Sequence, residues 1–394
     1  MKKIKPQSDT LLVLCSASLG GPTSSAINLL YLFRKDGRPI DVFLMDHEDV
    51  RTSDISAQGN LLPRIPFLAD AITNRKNVKK LAQYVHRLLF IATHKTFGAE
   101  RARKWLYKAA ARRLSGKYKN VIAYQESMAS DFVRYIETPN RIGWMHTDYD
   151  KLRALSPVLA SSDVYGSYNH IASVTASSAK RMIEVLNRDP NTVHVIRNPL
   201  IPEIIIEKAR EAVSNEEQKK RQFLIVSVGR LNPEKAFHRI PHVAKQLMQA
   251  GIDFDWYIIG DGVTRDKIES EIQKTETAEV VHLLGSKKNP YPYMRMADVL
   301  VITSEYEAQP MVANEALILD TPVVSTEFAS VREVIRDGEN GIIVNQKADA
   351  IFEALNFVLT NEQVRMNLYR AAHEFEYDNQ TIIDQITSLM TWER

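Results

Sequence analysis

The stretch Val299-Leu300-Val301-Ile302-Thr303-Ser304-Glu305-Tyr306-Glu307-Ala308-Gln309-Pro310-Met311-Val312-Ala313-Asn314-Glu315-Ala316-Leu317 joins a short apolar run to a helical pattern through a polar loop. Val299–Thr303 is β-rich and too short for a helix, which makes it a buried strand. Pro310 fits a first-turn helix position. The backbone N–H groups of Met311 and Val312, with Gln309 beside them, would then meet anionic or hydroxyl oxygens at a helix N-terminus. Glu307 would stand just before that helix and Glu315 over a turn inside it. Carboxylates accept hydrogen bonds from paired hydroxyls, so a sugar at Glu307 and a ribose diol at Glu315 suit both positions.

The same strand–loop–helix alternation extends to both ends of the chain. Candidate strands are Leu11–Cys15, Ile40–Met45, Val121–Tyr124, Arg141–Met145, Ile171–Thr175 and Val193–Ile196, then Phe223–Val228, Trp256–Ile259, Val280–Leu284, Val299–Thr303, Pro322–Ser325 and Ile342–Val344. Strands alternating with helical patterns give parallel βαβ units, and each set supplies one doubly wound sheet. At 394 residues the α/β chain is long enough for two such domains. Asn198-Pro199-Leu200-Ile201-Pro202 and the charge run ending at Arg221 mark the junction. The expected division is 1–200, 201–375 and a C-terminal helix over 376–394 that packs back on the first domain. Ligands of open α/β sheets sit at the C-terminal strand ends, so two Rossmann-like domains would face an interdomain cleft.

Strand Phe223–Val228 runs into Gly229-Arg230-Leu231-Asn232-Pro233-Glu234-Lys235. Glycine at a strand exit lets the backbone approach a ligand closely. Arg230 offers a planar fork and Lys235 a mobile point charge, a pair suited to two phosphates. A diphosphate that leaves a sugar gathers charge that fixed cations or a metal must stabilise. A solvated loop would show the same Arg-x4-Lys spacing. Gly260-Asp261-Gly262 is followed by Arg265 where a dinucleotide fingerprint needs its third glycine, so it reads as a tight turn and not as an NAD site.

Gly229-Arg230-Leu231 with Lys235, then Gly260-Asp261-Gly262, the Glu307/Glu315 pair and Pro322-Val323-Val324 together resemble the second domain of retaining glycosyltransferases of the GT-B fold. The resemblance is to family four, the capsule- and lipopolysaccharide-type transferases, and runs in order over about residues 223–345. It implies that Arg230 and Lys235 stabilise the leaving diphosphate, that Glu307 positions the donor sugar, and that Glu315 holds the ribose. It also implies that Leu284, in Val281-His282-Leu283-Leu284-Gly285, lies where backbone reads the nucleotide base. Ala308 and Asp320 stand where the family commonly has glycine, which bears on donor identity.

Gly20-Gly21 follows the first strand and opens a helical pattern from Ala26. A strand–glycine loop–helix start favours anions, and the resemblance implies a loop closing over diphosphate and sugar. A plain turn is the alternative. His146, at the end of strand Arg141–Met145, is implied to contact the donor sugar. Asp148 would orient the imidazole or meet the acceptor, and Glu126, after strand Val121–Tyr124, would line the acceptor side. Two Asp-x-Asp strings, Asp148-Tyr149-Asp150 and Asp253-Phe254-Asp255, turn up at ordinary Asp frequency by chance. No metal and no cofactor are expected.

Composition is that of a globular protein, 44% hydrophobic and 25% charged. The one cysteine, Cys15, lies in an apolar run and excludes an internal disulfide. The apolar run behind Met1-Lys2-Lys3-Ile4-Lys5 is too short for a signal peptide, and the expected location is cytoplasmic. Net charge is +3, yet residues 75–119 carry fourteen basic side chains and one acid, Glu100. Val78, Leu81, Ala82, Val85, Leu88 and Leu89 recur at helical spacing there, and Trp105 follows among Arg101, Arg103, Lys104 and Lys108. Such a basic amphipathic stretch suits an anionic membrane at the inner face; a solvated helix packed on the core is the alternative. No nucleic-acid motif accompanies the charge.

The function expected from all of this is metal-independent, retaining transfer of a sugar from a nucleoside diphosphate, UDP above all, to a polysaccharide or lipid-linked glycan. The rivals are a nucleotide-sugar epimerase on the same fold and a non-catalytic, membrane-docked subunit of a transferase.

Overall fold

A computed structural model describes residues 4–18, 20–46, 50–65, 68 and 98–391. The chain divides into two compact units, Met1–Pro199 with Asn379–Arg394, and Leu200–Asp378. The apolar set over 78–89 and the rest of 75–97 lie outside the described residues. No described helix is long and apolar enough to cross a membrane.

The first unit holds a parallel sheet of strands β1 (Thr10–Leu14), β2 (Asp41–Leu44), β3 (Asn60–Leu61), β4 (Asn120–Ala123), β5 (Asn140–Met145), β6 (His170–Ser173) and β7 (Val193–Val195). Their order across the sheet is β3-β2-β1-β4-β5-β6-β7. β1 is buried at all five positions, as a strand covered on both faces must be. The segment after Asn379 joins this unit through paired amides. Asn140 donates to the Leu389 carbonyl at 2.7 Å, and Asn120 exchanges bonds with the Thr391 backbone at 3.1 and 2.8 Å.

The second unit holds β8 (Phe223–Val228), β9 (Phe254–Ile259), β10 (Val281–Gly285), β11 (Val299–Ile302), β12 (Val323–Thr326) and β13 (Gly341–Val344), all parallel, in the order β10-β9-β8-β11-β12-β13. Its strands alternate between two cores. Ile225, Trp256, Ile258 and Val301 enter one cluster, while Leu224, Val226, Tyr257 and Ile302 enter the other. Full burial of each such side chain is worth about 1.5–3 kcal/mol. The buried Ser227 hydroxyl donates to the Val301 carbonyl at 2.7 Å and accepts from Trp256 Nε1 at 3.1 Å, so it costs no unmet polar group.

Each sheet reverses winding direction once, between β1 and β4 and between β8 and β11. Such switch points open a crevice beyond the carboxyl ends of the flanking strands. In the second unit those ends lead into Gly229–Lys235 and Thr303–Glu307. In the first they lead toward Gly20-Gly21 and into Tyr124-Gln125-Glu126.

Candidate active site

At the β8 exit, Gly229 N–H donates to the Ile259 carbonyl and Leu231 N–H to that of Asp261, both at 3.0 Å. The neighbouring turn lies so close that a Cβ on Gly260 would stand 1.8 Å from the Gly229 oxygen. The Gly260-Asp261-Gly262 string is therefore a packing device for the loop that carries Arg230. Past Lys235 the chain bends sharply at the buried Ala236, whose φ is 50°. The Lys235 Nζ then reaches across the switch point to Glu307 Oε2 at 2.9 Å. Ser304 donates to Glu307 Oε1 at 2.7 Å, and Ser330 to the Glu307 carbonyl at 2.9 Å. Arg230 is exposed; its carbonyl accepts from Asn232 N–H at 2.8 Å, and its side chain has no hydrogen-bond or ion-pair partner among the described residues.

The helix after this loop spans Met311–Ile318, and Pro310 is its N-cap, one place earlier than the first-turn position expected. The Met311 N–H donates to the Gln309 carbonyl at 2.8 Å in a tight turn, so it is not open to a ligand as the sequence reading had it. Val312 offers the first N–H of this helix without an acceptor among the described residues. Gln309 is buried, and its amide donates to the Tyr377 hydroxyl at 3.2 Å. Glu315 is half-buried, and desolvation pushes its carboxyl up to about 7, opposed by a 3.2 Å bond from the Tyr291 hydroxyl. A carboxyl so poised exchanges a proton near neutrality. Leu284 is half-buried near the end of β10.

Asp320, where glycine is usual in the resembled family, has φ 63°. Left-handed backbone tolerates Asp far better than branched residues. Asp320→Val should therefore lower unfolding free energy by about 1–2 kcal/mol, and Asp320→Gly should not. Chemical denaturation measures both, and a Val variant as stable as wild type would contradict the assignment.

The first unit collects the remaining residues. Gly20 is the N-cap of the helix Gly21–Lys35, with φ 153° and ψ 169°, and its carbonyl accepts from Ser24 at 3.1 Å. Ser25, one turn into that helix, is 2.7 Å from both the Tyr124 hydroxyl and Asn198 Oδ1. His146 is buried and donates from Nε2 to the Tyr124 carbonyl at 2.8 Å. Burial holds the imidazole pKa below its ordinary value, with Glu126 and the Tyr124 carbonyl opposing. The ring is neutral at pH 7, and its Nδ1 is the acceptor nitrogen. The Asn198 side chain beside the ring also opposes the shift, and Nδ1 has no hydrogen-bond partner among the described residues. A buried acceptor in that state suits a sugar hydroxyl.

Glu126 accepts from His146 N–H at 2.8 Å and from the Thr147 hydroxyl, so it braces the end of β5. Asp148 caps the helix Tyr149–Leu155 through Lys151 N–H at 3.0 Å and not through the imidazole. The other Asp-x-Asp members also have partners. Asp150 pairs with Arg181 at 2.8 Å, Asp253 with Arg221 at 3.1 Å and the buried Asp255 with His282 at 2.9 Å. Asp255 lies inside β9, so that string overlaps the strand.

Three participants had escaped sequence reasoning. Ser304 stands three residues before Glu307, near enough for a local pattern to suggest it. Tyr291 and Asn198 come from other elements, and no spacing points to either.

Residues 209–375 match the family of glycosyl transferases group 1. The amylovoran biosynthesis glycosyltransferase AmsD of Erwinia amylovora is 29% identical over 161 residues, covering 40% of this chain and 45% of that protein. The N-acetylgalactosamine-N,N'-diacetylbacillosaminyl-diphospho-undecaprenol 4-alpha-N-acetylgalactosaminyltransferase of Campylobacter jejuni is 27% identical over 186 residues, 47% of this chain and 49% of that one. The chain thus spans about half the length of the curated relatives it matches. Anabaena HepE, solved in complex with UDP and glucose, superposes with a TM-score of 0.69 at 16% identity, over 97% of this chain and 99% of that chain. The likeness of fold runs through both sheets and gives the chain the GT-B fold, and the match to the group 1 glycosyl transferases falls on the unit that carries Lys235, Glu307 and Glu315.

Proposed function

We propose that the protein transfers a sugar from a nucleoside diphosphate, UDP above all, to a growing polysaccharide or lipid-linked glycan, with retention of anomeric configuration and without a metal. The observation that carries this reading is the 2.9 Å Lys235–Glu307 pair at the switch point of the second sheet. Lys235 and the unpaired Arg230 supply cationic charge for the leaving diphosphate. Glu307, braced by Ser304, faces the sugar, and Glu315 the ribose. His146 Nδ1 accepts from a sugar hydroxyl. In the step, the anomeric carbon–phosphate oxygen bond breaks and a bond from the acceptor oxygen forms on the same face. The leaving phosphate takes the acceptor proton. UDP is favoured by the HepE complex and a lipid-linked acceptor by the Campylobacter relative's name.

Attachment at the inner membrane face is part of the proposal. On the helix Ala99–Ala111, Arg101, Lys104, Trp105 and Lys108 are exposed, with Arg112 just beyond, while Leu106, Tyr107 and Ala110 are buried. Each basic residue near an anionic surface is worth about 1 kcal/mol.

A thermal-shift panel of UDP-, GDP- and ADP-sugars tests the donor, since a ligand of the folded state at 100 times its Kd adds about 2.7 kcal/mol. A UDP-sugar should raise Tm and the others should not. NMR of that donor with a polyprenyl diphosphate-linked sugar acceptor should show a product of the donor's own anomeric configuration. An inverted product would overturn the retaining assignment, and an epimerised donor in acceptor-free solution would replace transferase by epimerase.

A further inference from the structure

The loop that presents Glu307 is held at several points by residues from around the second sheet. Lys235 and Ser304 hold the carboxylate, and Ser330 holds the carbonyl. A further hold, from outside the sheet, is the hydrogen bond from Gln309 Nε2 to the Tyr377 hydroxyl, 3.2 Å long and 68 residues away in sequence. Tyr377 belongs to the irregular segment 374–378, between the helices Glu362–His373 and Asn379–Ser388. Its ring lies 6.4 Å from that of Phe375, and both pack on the edge of the core cluster that includes Ala313, Ala316 and Leu317 of the donor-side helix.

On its far side the same segment walls a cavity of about 500 Å³, bounded by Pro202, Ile318, Asp320, His373, Phe375 and Tyr377. Packing on one side leaves the orientation of the Tyr377 phenol hydroxyl to its polar contacts. Its contact with Gln309 is a directional restraint. Gln309 is buried, and its carbonyl takes the Met311 N–H, so rotation of its backbone would also shift the first turn of the helix that carries Glu315.

We propose that Tyr377 is a positioning residue for the donor: its hydroxyl fixes the Gln309 carboxamide and thereby the turn from Glu307 to Met311. This rests on the reading of that turn as part of a nucleotide-sugar site. Tyr377 acts through Gln309 and touches no reacting atom. Losing one neutral hydrogen bond corresponds to a change of about 2–12-fold in affinity. The effect belongs in donor binding, because the cations and carboxylates of the reaction keep their own partners.

The test compares wild type, Tyr377→Phe, Gln309→Ala and the double variant, using UDP-sugar KM, kcat and calorimetric Kd for UDP. Tyr377→Phe should raise donor KM and Kd about 3–10-fold, with kcat within twofold and Tm nearly unchanged. In the Gln309→Ala background the same substitution should add nothing, because the interaction is already gone. Tyr377→Phe with wild-type KM and Kd would overturn the proposal, as would losses that add in the double variant. Wild-type protein that binds no UDP-sugar would remove the transferase reading itself, and this proposal with it. Normal wild-type binding with an unaffected Tyr377→Phe removes only the role of Tyr377.

Discussion

Lys235→Ala should lower kcat for sugar transfer by roughly 10²–10³, the loss typical when one fixed donor to a developing anion is removed. Two features of the geometry set this expectation. The ammonium is held at the strand exit by a turn through the left-handed Ala236, and it is only 20% exposed, so its charge acts with little screening. Its removal also deprives the nearly buried Glu307 of its cation, which should cost about 1–3 kcal/mol of stability. Lys235→Met, which keeps most of the stem, should recover some packing and none of the rate. A Lys235→Ala enzyme within threefold of the wild-type kcat would remove the lysine from the chemistry.

The second large effect is a proton at Glu315. Its ordinary pKa of 4.5 rises to about 7 in the folded chain through desolvation. Because the folded state holds this proton more tightly than the unfolded state, the stabilising contribution is fully present below pH 4.5. It declines as pH climbs to 7 and is absent above. The span corresponds to about 3 kcal/mol. Glu315→Gln keeps the shape without the titration, so its stability should match wild type near pH 4.5 and exceed it at pH 8 by up to that amount. A ribose diol donates hydrogen bonds and favours the carboxylate, so UDP binding at pH 7 should release up to roughly half a proton. Calorimetry in buffers of different ionisation enthalpy reads this directly. Parallel stability profiles for wild type and Glu315→Gln from pH 4.5 to 8 would show that the carboxyl is not raised.

The strands were largely legible because both sheets are covered on two faces, so their strands read as unbroken apolar runs such as Leu11-Leu12-Val13-Leu14. β3 escaped because Asn60-Leu61 is only two residues long and half-buried. β9 begins two residues before the expected Trp256, with Phe254 and Asp255 inside it and the buried Asp255 paired with His282 at 2.9 Å. Sheet order was not legible. The meeting of Lys235 and Glu307, 72 positions apart, depends on β8 and β11 being neighbours, and only the winding of the sheet makes them so.

Within each unit, residue types announced themselves beyond strand ends, Arg230, Lys235 and Glu307 in the second and His146 in the first. Their supports did not. Tyr291 for Glu315 and Tyr377 for Gln309 come from helices and turns without a motif of their own. The open N–H of Met311 failed as an expectation because a single backbone bond to Gln309 delays the helix by one residue, a detail below what helix-start signals resolve.

The measurement that bears most directly on the nucleotide-sugar site is a calorimetric titration of UDP, and separately of uridine, into wild type and Lys235→Ala. If Lys235 holds the diphosphate, the variant should bind UDP about 10–150-fold more weakly, the range for a hydrogen bond to a charged group, while uridine affinity changes less than twofold. Equal affinity of both proteins for UDP would contradict the assignment of this switch point to the diphosphate.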